Sequence, residues 1–135
     1  MILVTGGAGY IGSHTCVALA RAGLPFLILD NFSNSRRSVL ERLARITGQP
    51  APCVEGDVRD AALLARVMEA HPVSAVIHFA AFKAVGESVR EPLRYYENNV
   101  AGTVTLLQAM QAAQVRTLVF SSSATVYADP ASLPI

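Results

Sequence analysis

The stretch from Met1 to Asp30 restricts the possible folds more than any other part of the chain. It reads M-I-L-V-T-G-G-A-G-Y-I-G-S-H, then a helical segment, then P-F-L-I-L-D. Met1 to Val4 is a short apolar run suited to a strand buried on both faces. Thr5 to Gly9 is too rich in glycine for strand or helix, so the chain turns there. From Tyr10 onward, Ile11, Thr15, Ala18, Leu19 and Ala22 recur at helical spacing, and Gly23 stands where that helix would end. A second apolar run, Phe26 to Leu29, follows Pro25 and closes on Asp30. The order is strand, glycine-rich turn, helix, strand, acid.

That order is the fingerprint of a dinucleotide-binding unit. Gly7, Gly9 and Gly12 match G-x-G-x-x-G, and Gly6, Gly9 and Gly12 match the wider G-x-x-G-x-x-G. A pyrophosphate has to approach the backbone more closely than a Cβ permits. The helix start offers free N–H groups and a dipole that favours an anion. Asp30 stands where an acid accepts from the adenosine ribose hydroxyls. A glycine pattern alone is weak evidence; strand, helix and acid in the right order make it specific.

A chain of 135 residues is one domain of ordinary size. It is 52% hydrophobic and only 16% charged; a parallel sheet covered on both faces would explain part of this, and an interface to a missing partner could explain the rest. A net charge of +1 with scattered arginines leaves no nucleic-acid or anionic-membrane footprint. No apolar run is long enough to span a bilayer, and no leader precedes the first strand, so a cytoplasmic protein is expected. Cys16 and Cys53 lack metal-ligand spacing and are expected as buried free thiols. His14, His71 and His78 fall in a helix, a turn and a strand. None is spaced to share a metal, so structural roles are expected for all three.

After Asp30 a polar loop, N-F-S-N-S-R-R, leads to Ser38 and Glu41 in the S-x-x-E capping-box pattern. The helix they open runs through Leu40, Leu43 and Ile46 and should stop at Gly48. Cys53 to Glu55 reads as a third strand. Asp60 is placed to cap a helix with Leu63, Leu64, Val67 and Met68 on one face. Ala75 to Phe79 is a fourth strand. Pro92 permits a new helix, expected from about Arg94 to Ala113 with Tyr96, Val100, Val104, Leu107 and Met110 as its inward stripe. Thr117 to Phe120 is a fifth strand. Alternation of strands and helices predicts an α/β, Rossmann-type doubly wound parallel sheet in the order 3-2-1-4-5. Ligands should bind at the carboxyl ends of the strands, beside the switch between strands one and four.

The runs T-G-G-A-G-Y-I-G-S-H, L-D-N, E-G-D-V, H-F-A-A-F-K-A-V-G-E-S-V, Y-Y-E-N-N-V and F-S-S-S-A-T-V-Y closely resemble the UDP-glucose 4-epimerases, extended short-chain dehydrogenases/reductases. The resemblance covers the whole chain. It implies NAD as cofactor and a UDP-sugar as substrate. Within the glycine turn, Gly6, Gly9 and Gly12 with the backbone of Tyr10 and Ile11 would meet the pyrophosphate. Asp30 would hold the adenosine ribose, with Asn31, Asn34 and Ser35 around it. Asp57 and Val58 would border the adenine. Phe79, Ala80 and Ala81 would line the cofactor path, and Lys83 would lie near the phosphates or the nicotinamide ribose. Asn98 would reach in from the long helix, Ser121 and Ser122 would flank the nicotinamide, and Ser123 would hydrogen-bond the sugar hydroxyl being oxidised.

The residues themselves leave plainer roles open. Asp57 could be a turn former after Gly56. Asn98 or Asn99 could sit on a polar helix face. Lys83 follows two alanines in an apolar context, where an unpaired ammonium is costly, which favours a phosphate partner.

The family chemistry is reversible oxidation at sugar carbon 4, with a tyrosine of a Tyr-x-x-x-Lys pair as base. Tyr10, Tyr95, Tyr96 and Tyr127 all lack a lysine four residues on, and Lys83 is the only lysine. In the family that pair lies beyond the serine loop. Residues 1–135 are therefore expected to form an incomplete NAD-binding domain, truncated after the fifth strand, without the sugar-nucleotide-binding domain and inactive alone. Ala81 also departs from the glycine common in the family. The alternatives are a sugar-nucleotide 4,6-dehydratase, disfavoured by Ala124-Thr125 where that chemistry needs Asp-Glu, or a non-catalytic NAD-binding module. A homodimer is expected, through the helix from Arg94 or through an unprotected fifth strand and the tail with Val126, Tyr127, Leu133 and Ile135.

Overall fold

The computed structural model describes residues 1–123; the expectations on Ala124-Thr125 and on Val126, Tyr127, Leu133 and Ile135 lie outside them. Five parallel strands, β1 (Ile2–Thr5), β2 (Phe26–Asp30), β3 (Cys53–Glu55), β4 (Ala75–His78) and β5 (Thr117–Phe120), pair in the order β3-β2-β1-β4-β5. This is the expected order. Leu3 lies opposite Leu27 on one side and Val76 on the other. Alternation along these strands feeds two cores. Leu3, Leu27, Leu29 and Val76 pack with Leu64, Val67, Met68, Leu106 and Met110 on one face. Val4 and Ile28 pack with Cys16, Leu19 and Leu43 on the other. Helices α3 (Ala61–Ala70) and α6 (Gly102–Ala112) therefore cover one face, and α1 (Tyr10–Arg21) and α2 (Ser38–Thr47) cover the other.

Local signals decide where most helices begin and end. Gly23 adopts φ +68° after α1, where its N–H bonds Ala20 O and that of Leu24 bonds Leu19 O, closing the last turn as left-handed glycine caps do. Gly48, at φ +75°, ends α2. Asp60 caps α3 by accepting from Leu63 N at 2.9 Å. The capping box expected of Ser38 and Glu41 is absent. Arg37 holds the cap position in helical conformation without a side-chain cap bond, so Ser38 is already inside the first turn. Ile46 is also 59% exposed, and Leu43 alone is buried on α2.

The long helix departs most from expectation. A short helix α4 (Val85–Arg90) precedes it, α5 (Pro92–Tyr95) opens it, and a π-helical segment, Tyr96–Ala101, joins α5 to α6. The wider turn shifts the helical phase. Asn98, Gly102, Leu106 and Met110 face inward, while Tyr96 (66%), Val100 (53%), Val104 (47%) and Leu107 (42%) are exposed. Of the expected inward stripe only Met110 is buried. Gly102 lets the helix approach the loop after β3, since a Cβ there would lie 3.0 Å from Val58 Cγ2. Among the described residues no helix is long and apolar enough to cross a membrane.

Candidate functional site

The carboxyl ends of β1, β2, β4 and β5 surround two cavities. The first, about 210 Å³, is lined by Gly6, Gly9, Tyr10, Asp30, Asn31, Asn34, Ser35, Val58, Phe79, Ala80, Ala81 and Asn98 from the expected set. Leu29, Ser33, Gly56 and Phe82 complete it. The second, about 700 Å³, takes in Lys83, Ser121, Ser122 and Ser123 together with His78, Tyr95, Asn99, Thr103 and Phe120. Ala81 and Phe82 line both, so the cavities adjoin. Ile11, Gly12 and Asp57 line neither.

The glycines divide the work. At Gly6, with φ +70°, a Cβ would fall 2.7 Å from Ala80 N; at Gly12 it would fall 2.3 Å from Gly6 O. These two are required by contacts inside the protein. A Cβ on Gly9 would meet only Gly6 O, at 3.2 Å, so this position alone leaves its space to a ligand. The first bond of the α1 ladder runs from Ser13 N to Gly9 O, which leaves the amides of Tyr10, Ile11 and Gly12 ahead of it. No side chain caps α1, and its first turn holds no acid. An anion such as a pyrophosphate fits this opening.

Asp30 is buried at the floor of the first cavity, with 8% exposure. Its Oδ2 accepts from Ala8 N, and its Oδ1 from Phe32 N and Ser35 Oγ, each at 2.9 Å. A carboxylate has about four acceptor positions, so one remains for a ribose hydroxyl. Phe32 sits at φ +55°, uncommon for an aromatic residue, and the bond to Asp30 holds it there. Arg37 lies 5.0 Å over the Phe32 ring and pairs with Glu55.

Asp57 serves the site from outside the cavity. Its carboxylate accepts from Arg59 N, Nε and Nη2 and from Asn31 Nδ2, all at 2.9 Å. The Arg59 guanidinium holds it well below the usual carboxylate range. Arg59 also reaches Glu97, at 3.3 Å. Asp57 thus ties the loop after β2 to the π-helical segment, more than the turn former its place after Gly56 suggested.

Lys83 is not in the apolar surroundings its sequence neighbours suggest. It is exposed, so no desolvation cost demands a phosphate partner; its place on the rim of the second cavity is what marks it. His78 is buried beneath that cavity, stacked on Phe120 with centroids 5.6 Å apart. Thr103 Oγ1 donates to Asn99 O at 2.6 Å and accepts from His78 Nε2 at 3.1 Å. His78 Nδ1 then accepts from Thr5 Oγ1 at 2.6 Å. Burial pushes the imidazole down to about 4, keeping it neutral. Burial likewise pushes the Cys16 thiol up to about 12 and Cys53 up to about 11.

The sheet order, the glycine turn and the acid at the end of β2 have a counterpart among known proteins. The model of the NAD dependent epimerase/dehydratase family matches residues 2–135. The chain belongs to this family. A UDP-glucose 4-epimerase of Yersinia pestis is 59% identical over 133 residues, covering 98% of this chain and 39% of that protein. One of Klebsiella pneumoniae is 53% identical over 133 residues, covering 98% of this chain and 96% of that protein. The crystal structure of the UDP-glucose 4-epimerase from Bifidobacterium longum in complex with NAD+ and UDP matches with a TM-score of 0.95 at 49% identity, over 99% of this chain and 40% of that one. The chain spans about 40% of the length of most of the curated relatives it matches.

Several residues that line the cavities, Phe82 and Asn99 among them, had no ligand role expected from the sequence. The available signal was a pair of adjacent asparagines inside a helix, an unfavourable choice unless their side chains are engaged. Among the described residues no His, Cys, Asp and Glu cluster is placed to hold a metal ion.

Proposed function

We propose that this chain is the NAD-binding portion of a UDP-glucose/UDP-galactose 4-epimerase. The observation that carries the reading is the pair of adjoining cavities at the strand ends, with the Asp30 carboxylate at the floor of one and Ser121–Ser123 in the other. NAD, when bound, supplies a reversible hydride acceptor for carbon 4 of the sugar. The residues of this chain bind and orient. The open amides of Tyr10, Ile11 and Gly12 and the space at Gly9 suit the pyrophosphate, and Gly6 shapes the turn beneath it. Asp30 offers its remaining acceptor position to the adenosine ribose, beside Asn31, Asn34 and Ser35. Val58 supplies an apolar wall for the adenine, and Asp57 holds that wall in place. Phe79, Ala80, Ala81 and Asn98 bound the passage to the second cavity, where Lys83, Ser121 and Ser122 face the nicotinamide half. Ser123 hydrogen-bonds the sugar hydroxyl that loses its proton.

No tyrosine of the chain is followed by a lysine four residues on, so these residues supply no Tyr-x-x-x-Lys base. General-base catalysis is worth about 10²–10⁴-fold, and the 135-residue chain alone is expected to turn over no UDP-galactose. The same reading makes the protein a cytosolic homodimer. Free Cys16 and Cys53 suit a reducing compartment, and the exposed stripe Tyr96, Val100, Val104 and Leu107 offers an apolar face for a second copy.

Calorimetric titration with NAD tests the reading, since the chain has no tryptophan to report binding by fluorescence. Saturable binding without UDP-galactose turnover is expected. A chain that binds no NAD, or that interconverts the sugars unaided, overturns it.

A further inference from the structure

The backbone between β4 and α4 is held by side chains in place of a neighbouring strand. Phe82 N donates to Asn99 Oδ1, and Asn99 Nδ2 donates back to Phe82 O, both at 2.9 Å. Two residues on, Ala84 N donates to the Tyr95 hydroxyl at 3.1 Å, and that hydroxyl donates to Glu87 Oε2 at 2.7 Å. Residues 82 and 84 are thus fastened on one side, and Lys83 between them lies on the rim of the second cavity. The Phe82 ring adds to the grip, 4.6 Å under the Arg94 guanidinium and 5.5 Å from the Tyr95 ring.

Asn99, which lines only the second cavity, also bonds a wall residue of the first. Its Oδ1 accepts from Asn98 Nδ2 at 2.9 Å, and Asn98 lines that cavity with 5% exposure. Successive residues of an ordinary α-helix point about 100° apart. The π-helical turn, Tyr96–Ala101, widens the helix so that both carboxamides are used inward. One side chain therefore contacts a wall residue of each cavity at their junction.

We propose that Asn99 is a positioning residue: it sets the backbone of Phe82, and through it Lys83, together with the carboxamide of Asn98, for a dinucleotide that spans the two cavities. The role rests on the NAD-binding reading above. Asn99 needs no contact with the ligand. Its Nδ2 donates to Phe82 O and its Oδ1 accepts from both Phe82 N and Asn98 Nδ2, and a carboxamide matches the N–H and C=O of one peptide at once. Asn99→Asp keeps the acceptor but sets an oxygen against Phe82 O.

The test compares the 135-residue chain with its Asn99→Ala and Asn99→Asp variants by amide hydrogen exchange and by titration with NAD and AMP. Exchange at Phe82 N is expected to rise in both variants while the strands stay protected. NAD affinity is expected to fall about tenfold, the scale of two lost hydrogen bonds. AMP, which meets the glycine turn, Asp30 with its neighbours and Val58 but not the second cavity, should change less than about twofold. Unchanged exchange at Phe82, unchanged NAD affinity, or equal losses for NAD and AMP would overturn the proposal. If neither Asn99 variant folds, Tyr95→Phe takes their place: faster exchange at Ala84 with weaker NAD binding supports the side-chain clamp, and no change in either overturns it. An unsubstituted chain that binds no NAD overturns the functional reading and the positioning role with it, whereas faster exchange confined to Phe82 and Ala84 still establishes the clamp.

Discussion

The Oδ2 of Asp30 accepts a 2.9 Å hydrogen bond from the backbone N–H of Ala8. The acid at the end of β2 therefore does two things at once, holding the glycine turn in shape and facing the cavity. Asp30→Asn tests the division. Its amide nitrogen must face either Ala8 N–H or the donors Phe32 N and Ser35 Oγ, so a buried donor is left without an acceptor. We expect a stability loss of about 1–3 kcal/mol, read as a lower urea midpoint, together with weakened NAD binding. A variant of unchanged stability would remove the structural half of this account.

Selectivity for NAD over NADP follows from the same corner. Asp30 repels a 2′-phosphate. Ser35 Oγ is committed to Asp30, and Arg37 is held over Phe32 and paired with Glu55. Arg37, which could otherwise welcome that phosphate, is already engaged. Parallel titrations should show NAD binding at least about tenfold tighter; equal or tighter NADP binding would contradict the argument.

His78 makes stability depend on pH. Its imidazole, ordinarily near 6.5, is pushed down to about 4 by burial. The unfolded chain takes up a proton below about 6.5 that the folded chain refuses until about 4. This contribution is fully present above pH 6.5 and drains away as pH falls towards 4. The shift corresponds to about 3 kcal/mol. Denaturation midpoints measured over that range should converge between the native chain and His78→Gln as pH falls. Parallel curves would assign the acid sensitivity elsewhere.

Two surfaces can bring copies together. The helix face of Val104 and Leu107 is one, and the edge of the sheet at β5, where Val119 is 56% exposed, is the other. Leu107→Glu should abolish association through the helix, and Val119→Lys association through the edge. Light scattering over a concentration series distinguishes them. We expect the native chain to associate and Leu107→Glu to be monomeric; a native chain that stays monomeric at high concentration excludes both surfaces.

The features legible in the sequence are those whose physics is local. Gly23 and Gly48 end helices because their own φ is positive, and Asp60 caps α3 through an N–H three residues away. The parallel sheet follows from alternation and crossover handedness, the glycine turn followed by Asp30 selects the dinucleotide-binding order among the parallel sheets, and it marks the cavity because the spacing itself creates the anion site. Tertiary structure alone decided the rest. The long helix is apolar on two sides, so periodicity could not say that Leu106 is buried and Leu107 exposed; the π-helical turn set the phase. Lys83 has apolar neighbours in sequence yet is exposed, and the backbone beside it is held by Asn99, seventeen residues away from Phe82. Ala8 and Asp30 meet across twenty-two residues only because β1 and β2 lie side by side. Contacts of that range depend on how elements dock, and no window of sequence contains both partners.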